Sequence, residues 1–134
     1  PDETFEISRT EEQWREILTP QQFRVLRKHG TEKPYSSPLD KEYRQGTYVC
    51  AGCELPLFSS KTKYNSGTGW PSFYTPLDQA IGTSVDNSYL MRRIEVHCSR
   101  CGGHLGHVFN DGPKPTGLRY CMNSVALKFD DKTD

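Results

Sequence analysis

Four of the five cysteines in this 134-residue chain form two pairs with the spacing of metal ligands. Each pair is a Cys-x-x-Cys segment, the first at Cys50 and Cys53 and the second at Cys98 and Cys101. A turn of this spacing brings two thiolates to one ion, and zinc takes four ligands in a tetrahedron with Zn–S bonds of about 2.3 Å. The spacing predicts a structural zinc site, because four thiolates leave no open position for water.

The same four residues would also suit other chemistry. They could form two disulfides in an oxidising compartment, or hold iron or an iron–sulfur cluster. A redox centre of the thioredoxin type lies at the start of a helix, and neither pair precedes a helical pattern. No export signal is visible, which favours zinc over disulfides, and we expect a cytoplasmic protein.

The fifth cysteine, Cys121, lies in the segment Arg-Tyr-Cys-Met-Asn. Side chains alternate along a strand, so Arg119, Cys121 and Asn123 would share one face. A nearby cation raises the fraction of thiolate, which is the nucleophilic form of cysteine. A lone cysteine is also often a small buried core residue, and this segment alone does not distinguish the two roles.

Two histidines, His104 and His107, follow the second cysteine pair in a glycine-rich segment. Histidine exchanges protons near pH 7, so a fixed pair could serve as acid and base for a nucleophile. A second metal site and an exposed loop are the alternatives. Asp111 could orient a histidine or pair with Arg119, although an acidic residue before Gly-Pro is also a common turn former.

A glycine-rich loop at residues 66–74 contains Trp70. The loop has no following lysine and opens no helical pattern, which excludes a phosphate-binding loop. Aromatic residues between glycines and a proline indicate the apolar wall of a pocket, or else a tryptophan of the core.

The residues before position 30 predict two short helices. Thr10 and Thr19 each stand three positions before a glutamine, which is the pattern of a capping box. Pro20 suits the first helical position, and we expect Gly30 to end the second helix.

Beyond residue 41 the chain consists of short segments rich in Tyr, Val, Phe and Thr and broken by Gly and Pro. We expect strands at residues 46–50, 81–83, 89–96, 107–109 and 118–129. Few helical patterns occur here, so a parallel α/β sheet is excluded. The chain is expected to form one mainly β, antiparallel domain over residues 1–134, with short N-terminal helices.

The charge balance argues against two classes of partner. Lys plus Arg number 17, as do Asp plus Glu, so the formal net charge is +0. A protein that binds nucleic acid or an anionic membrane needs an excess of positive charge. No apolar run approaches the ~20 residues of a transmembrane helix. We therefore expect neither a nucleic-acid nor a membrane partner.

In their order along the chain, these motifs resemble the methionine-(R)-sulfoxide reductase family of the B type. The shared motifs are Gly-Trp-Pro-Ser-Phe, the two cysteine pairs, Gly-His-Leu-Gly-His-Val-Phe-Asn-Asp-Gly and Arg-Tyr-Cys-Met-Asn-Ser. The resemblance implies two antiparallel sheets in a β-tent, with zinc opposite the active site. It also implies reduction of the R epimer of methionine sulfoxide, free or in proteins.

The resemblance further assigns a role to each matching position. Cys121 corresponds to the nucleophile, whose thiolate attacks the sulfoxide sulfur and becomes a sulfenic acid. His104 and His107 correspond to two active-site histidines, and Asn123 corresponds to an amide of the site. Arg119 and Asp111 correspond to a charged pair, and Trp70 corresponds to the aromatic residue that receives the substrate's methyl group.

One position departs from the family's pattern. Many members have a recycling cysteine in the Ser-Gly-x-Gly-Trp-Pro loop, where this chain has Thr68. With four thiols on zinc, no cysteine remains to form an intramolecular disulfide with Cys121. We expect an external reductant to act on Cys121 directly in a monomer: thioredoxin, glutaredoxin with glutathione, or a small dithiol. The rival functions are a non-catalytic zinc-scaffolded binding module and a Cys–His acyl hydrolase.

A thiol titration tests this division of the cysteines. The native protein should expose one reactive thiol, because a thiolate bound to metal reacts slowly, and removal of the metal should expose all five cysteines. Two or fewer reactive thiols after metal removal would indicate disulfides instead.

Overall fold

The computed structural model describes residues 5–36 and 38–131. Two helices open the described chain, α1 at Glu11–Ile17 and α2 at Pro20–Lys28. Both predicted capping boxes are present: the Thr10 hydroxyl accepts from the Gln13 amide, and the Gln13 side chain accepts from the Thr10 amide. Thr19 begins α2 in the same way. Each box satisfies two backbone donors that a helix start leaves unpaired.

The prediction that Gly30 ends α2 is wrong by one residue. His29 takes the left-handed conformation that stops the helix, with φ at 58°. Histidine tolerates this region better than most residues, and the His29 ring here packs on His104 with ring centroids 4.9 Å apart. The Gly30 amide then donates to the Arg24 carbonyl at 2.8 Å, which closes the helix end.

The rest of the described chain forms strands joined by turns and short 3₁₀ segments. The strands are β1 Thr47–Cys50, β2 Pro56–Ser59, β3 Lys63–Tyr64, β4 Ser72–Phe73, β5 Ile81–Asp86, β6 Arg93–Cys98, β7 His104–Phe109, β8 Arg119–Met122 and β9 Leu127–Asp130. They form a three-stranded sheet in the order β2-β1-β9 and a six-stranded sheet in the order β3-β4-β8-β7-β6-β5. All pairings are antiparallel, so the predicted architecture of two antiparallel sheets with short helices is confirmed.

Several strand bounds differ from the prediction. The expected strand at 118–129 is two strands in different sheets, separated by a 3₁₀ turn at Ser124–Ala126. The expected strand at 89–96 begins only at Arg93, because Ser88–Leu90 forms another 3₁₀ turn. The prediction missed β2, β3 and β4, which are too short to show an alternating pattern.

Aromatic side chains fill the space between the two sheets. Phe58 of β2 stacks on Phe73 of β4 with ring centroids 4.3 Å apart, and Tyr48 of β1 meets Phe73 edge-on at 5.0 Å. All three side chains are fully buried, and burial of each stabilises the fold by about 2–3 kcal/mol. This core fixes the six-stranded sheet, whose central strands β7 and β8 carry most of the candidate site.

The helices cover one end of this arrangement. Trp14 of α1 and Leu26 of α2 are buried, and the Arg27 guanidinium donates to the Cys101 carbonyl at 2.9 Å. The helices thus pack beside the second cysteine pair. Within the described ranges, the helices are too short and too polar to cross a membrane.

Candidate active site

The two cysteine pairs meet at one point. Cys50 ends β1 of the small sheet, and Cys98 ends β6 of the large sheet. The sulfur of Cys50 lies 3.7 Å from that of Cys101, and the sulfur of Cys53 lies 3.5 Å from that of Cys98. All four sulfur atoms lie within 4.8 Å of one another.

These distances fit a tetrahedral metal ion. Four sulfurs at about 2.3 Å from one ion, at tetrahedral angles, are about 3.8 Å apart. All five cysteines are free thiols, so the cluster is not a pair of disulfides. The four sulfurs can therefore bind a metal ion, and their spacing is consistent with zinc.

Cys121 lies apart from this cluster, on the inner strand β8. Its cross-strand neighbours are Ser72 on β4 and His107 on β7. Residues directly opposite each other on paired strands project from the same face with Cβ atoms about 5 Å apart. The thiol is half-buried and lines a cavity of about 250 Å³.

Four further residues of the sequence-predicted set line this cavity: Trp70, His107, Arg119 and Asn123. Two do not. His104 lies on the other side of the cavity wall, and Asp111 is an exposed partner of Arg119. The cavity also includes Thr31, Thr68, Arg93 and Phe109, of which only Thr68 stands out in the sequence.

The charge state of Cys121 reflects opposing influences. Burial raises the pKa of the thiol, while the Arg119 guanidinium and a hydrogen bond from Thr68 lower it. The net direction is upward. Cys121 is therefore mostly a thiol at neutral pH, and its activation requires a base or the approach of substrate.

Arg119 is held in place on two sides. Asp111 accepts hydrogen bonds from the guanidinium at 2.8 and 3.2 Å, and the guanidinium lies over the Phe109 ring at 4.4 Å. The side chain of Arg119 is only 15% exposed, whereas that of Asp111 is 63% exposed. Asp111 thus orients the cation without reaching the cavity.

Asn123 organises the wall of the cavity through its side-chain amide. Its oxygen accepts from the Glu32 amide at 2.9 Å, and its nitrogen donates to the Leu105 carbonyl at 3.0 Å. The Glu32 carbonyl in turn accepts from the Trp70 indole at 3.0 Å. Asn123 therefore ties together β7, the loop after α2 and the Trp70 loop.

Glu32 was not singled out by the sequence, although it is nearly fully buried. Its side chain accepts from the Val125 amide at 2.9 Å. This contact joins positions 93 residues apart, so no local pattern could have revealed it.

His104 is part of a buried network that also includes Glu95. Two histidines donate to the Glu95 carboxylate: His104 at 2.8 Å and His97 at 2.9 Å. Burial opposes the charge of Glu95, but these bonds and one from Ser84 outweigh it and lower its pKa to about 2. The His104 ring meets the His107 ring edge-on, with centroids 5.5 Å apart.

His107 has a carboxylate partner of its own. Its Nε2 lies 2.8 Å from Asp86, at the end of β5. Burial lowers the pKa of His107, and the bond to Asp86 partly offsets that effect. The bond to His107 also holds the pKa of Asp86 well below its usual range. Sequence reasoning missed Asp86 because it lies 21 positions from its partner and in no recognisable motif.

Fold and site together describe a small, mainly β protein with a cysteine cluster that can bind a metal ion and a separate candidate active site. The Cys121 thiol shares a cavity with an imidazole, a guanidinium and an indole, and it stands apart from the four clustered thiols. A thiol beside a proton carrier is the arrangement that nucleophilic catalysis requires.

Comparison with known proteins narrows this class. The SelR domain family matches residues 18–131. A protein of Leptospira interrogans (strain 56601), named peptide methionine sulfoxide reductase MsrB, is 56% identical over 93% of this chain and 96% of its own length. A protein of the same name from Methanosarcina mazei is 56% identical over 96% of this chain and 92% of its own length. Another, from Pseudomonas putida (strain W619), is 55% identical over 92% of this chain and 93% of its own length.

The chain belongs to the MsrB family and is an oxidoreductase. The resemblance that the motifs indicated is thereby confirmed.

Removal of the metal should unfold the protein. Ligation of structural zinc contributes on the order of 10 kcal/mol to small domains, which is comparable to the whole stability of a domain of this size. Thermal melts followed by circular dichroism should show a cooperative transition in the metal-bound protein and none after chelation. Cys53→Ser should behave like the chelated protein, and an apo-protein with an unchanged melting curve would refute a structural role.

Proposed function

We propose that this chain reduces the R epimer of methionine sulfoxide, free or in proteins, to methionine. The observation that carries the proposal is the cross-strand pair of Cys121 and His107, which opens into a cavity beside Trp70. The relatives named above act, by their names, on peptide methionine sulfoxide. The choice of the R epimer rests on the family resemblance.

The first chemical step is attack by the Cys121 thiolate on the sulfoxide sulfur. The sulfoxide oxygen accepts a proton as the S–S bond between Cys121 and the substrate forms, because the sulfoxide sulfur is a poor electrophile until its oxygen is protonated. The S–O bond and the new S–S bond then break as the oxygen moves to the Cys121 sulfur, which gives a sulfenic acid and releases methionine as the thioether. The cysteine sulfur is oxidised by two electrons and the substrate sulfur is reduced by two.

His107 is the residue best placed to move the proton. It lines the same cavity as Cys121 and lies directly opposite it in the sheet. A neutral imidazole can take the proton of the thiol and then deliver it to the sulfoxide oxygen. His104 contacts the His107 ring and supports it from behind the cavity wall.

The remaining cavity residues bind and orient the substrate. Trp70 and Phe109 offer apolar surface to the S-methyl group and the side-chain methylenes. Arg119 stabilises the negative charge of the thiolate and of the oxygen as it is transferred. Asn123 keeps the indole in position through Glu32.

An external thiol restores the enzyme. The sulfenic acid condenses with one reductant thiol, and a second reductant thiol displaces Cys121 from the mixed disulfide. Thr68 lines the cavity at the position where other members carry a recycling cysteine. Thioredoxin, glutaredoxin with glutathione, or a small dithiol would serve, in a reducing compartment such as the cytoplasm.

We assign zinc to the four-cysteine cluster, as a structural ion. Cys50, Cys53, Cys98 and Cys101 would hold it, and its four sulfur ligands leave no place for substrate. The metal supplies a crosslink between the two sheets, and no catalytic step involves it.

Cys121→Ser should abolish sulfoxide reduction and leave the metal content unchanged. Serine is isosteric, but its hydroxyl is neither ionised nor able to become a sulfenic acid. Turnover of the separate R and S epimers with dithiothreitol, together with metal analysis, provides the measurement. Retained turnover in Cys121→Ser would refute the nucleophile, and turnover of S rather than R would refute the epimer.

The oxidised enzyme should contain no intramolecular disulfide. One equivalent of methionine sulfoxide without reductant should leave Cys121 as a sulfenic acid, which dimedone labels, or as a mixed disulfide with added thiol. Peptide mass mapping locates the modification. A disulfide between Cys121 and any of the four clustered cysteines would contradict direct external recycling.

A further inference from the structure

His107 forms part of the wall between two cavities. On one side is the cavity of about 250 Å³ that contains Cys121. On the other is a cavity of about 490 Å³ that is lined by Asp86, His29 and His104 and that also reaches His107. Asp86 lines only the second cavity. The imidazole therefore stands between the thiol and the carboxylate.

The Asp86 carboxylate is itself held firmly. Its Oδ2 atom accepts from His107 at 2.8 Å and from the Arg93 guanidinium at 3.3 Å. Its Oδ1 atom accepts from the Ser88 amide at 2.9 Å. These contacts restrict the rotation of the carboxylate, although the side chain is 24% exposed and water reaches it.

We propose that Asp86 is a positioning residue for the reaction. Asp86 holds His107 as the tautomer protonated on Nε2, which leaves Nδ1 able to exchange a proton with Cys121 and the substrate. An ionised carboxylate only accepts hydrogen bonds, so the Nε2 atom that faces it must carry the proton. In the neutral ring, Nδ1 is then a bare acceptor.

The consequence for the chemistry is a defined direction of proton transfer. Nδ1 takes the proton of the Cys121 thiol, and the imidazolium that forms is stabilised by Asp86 until the proton passes to the sulfoxide oxygen. With the opposite tautomer, Nδ1 would carry a hydrogen and could not act as the base. A carboxylate that orients a histidine plays the same part in other nucleophilic sites.

Other charged and titratable groups also face His107. They are His29 after α2, Asp86 on β5, Arg93 and Glu95 on β6, His104 on β7, and Cys121 and Arg119 on β8. Burial and Arg93 disfavour the imidazolium, and Asp86 favours it. Asp86 is thus the group whose loss should move the titration of His107 to lower pH.

Asp86→Asn is the direct test, in the full-length, metal-bound protein. The amide can either accept from Nε2 or donate to it, so both tautomers become accessible and the imidazolium loses its counter-charge. We expect the single-turnover rate of methionine formation to fall by ~10²-fold. This is less than the loss of about 10⁴ on removal of the buried carboxylate in hydrolase triads, because Asp86 is partly exposed to water. Half-saturation by substrate should change little, because Asp86 does not line the cavity of Cys121.

Two further readouts separate positioning from a merely structural role. The acid limb of the rate should move to lower pH in Asp86→Asn, since His107 then stays neutral, and able to act as the base, at lower pH. In ¹⁵N spectra assigned with His107→Asn, wild-type His107 should show a protonated Nε2 and a bare Nδ1, and Asp86→Asn should show a mixture or the reverse. Asp86→Glu should recover part of the rate, and Asp78→Asn, which changes an exposed carboxylate, should match wild type.

An unchanged rate in Asp86→Asn would overturn the proposal. So would a wild-type His107 protonated on Nδ1, or a slower variant whose tautomer and pH profile match wild type. The inference rests on the proposed function, but the two fail differently. If wild type does not reduce methionine sulfoxide, the proposed reaction is wrong, whereas the spectra still report the tautomer without any substrate.

Discussion

The four-cysteine cluster is the constraint on which the arrangement of the molecule depends. It joins the end of β1 in the small sheet to the end of β6 in the large sheet, at sulfur–sulfur distances of 3.5 and 3.7 Å. A chain of this size buries a modest core, so a metal ion bound by the cluster would contribute a large share of its stability. β7, which carries His104 and His107, begins three residues after Cys101, so the cluster lies beside the start of that strand.

The large sheet holds the residues of the candidate site in place. β7 and β8 are inner strands, and both sides of β8 are paired, so Cys121 cannot move without disturbing its neighbours. Gly106, on β7, lets the two backbones approach closely, since a Cβ there would collide with the Cys121 carbonyl. The precise position of the thiol is thus a property of the sheet, while the residues that adjust its chemistry come from loops and from the strand ends.

Residues that belong to a recognisable local motif could be predicted, and those that stand outside any motif could not. The cysteine pairs and the capping boxes at Thr10 and Thr19 are local motifs, and the structure confirms that the four cysteines cluster and that both helices begin as predicted. Glu32 and Asp86 make their defining contacts 93 and 21 positions away, and their local surroundings carry no signal.

The strand expected at 118–129 shows a second limit of prediction from local sequence. Tyr120, Val125 and Phe129 favour a strand along this segment, but the chain changes sheets at Asn123, and only the tertiary fold decides where. The side-chain amide of Asn123 bonds to Leu105 and Glu32 at this point. A residue that alternation alone would place on a strand face is instead the corner that closes the cavity wall.

Burial of Cys121 opposes ionisation of its side chain, because it raises the pKa of the thiol. Oxidation of cysteine by general oxidants follows its thiolate character and its exposure, and burial reduces both. Cys121 is the one cysteine among the residues that line its cavity, so under the proposed function a resting thiolate would have no neighbouring thiol to reduce it once oxidised. A thiol that ionises only when Arg119, Thr68 and a neighbouring imidazole act together with the substrate would retain its reactivity for that substrate. In the proposed mechanism, the raised pKa would therefore protect a nucleophile that has no recycling cysteine beside it.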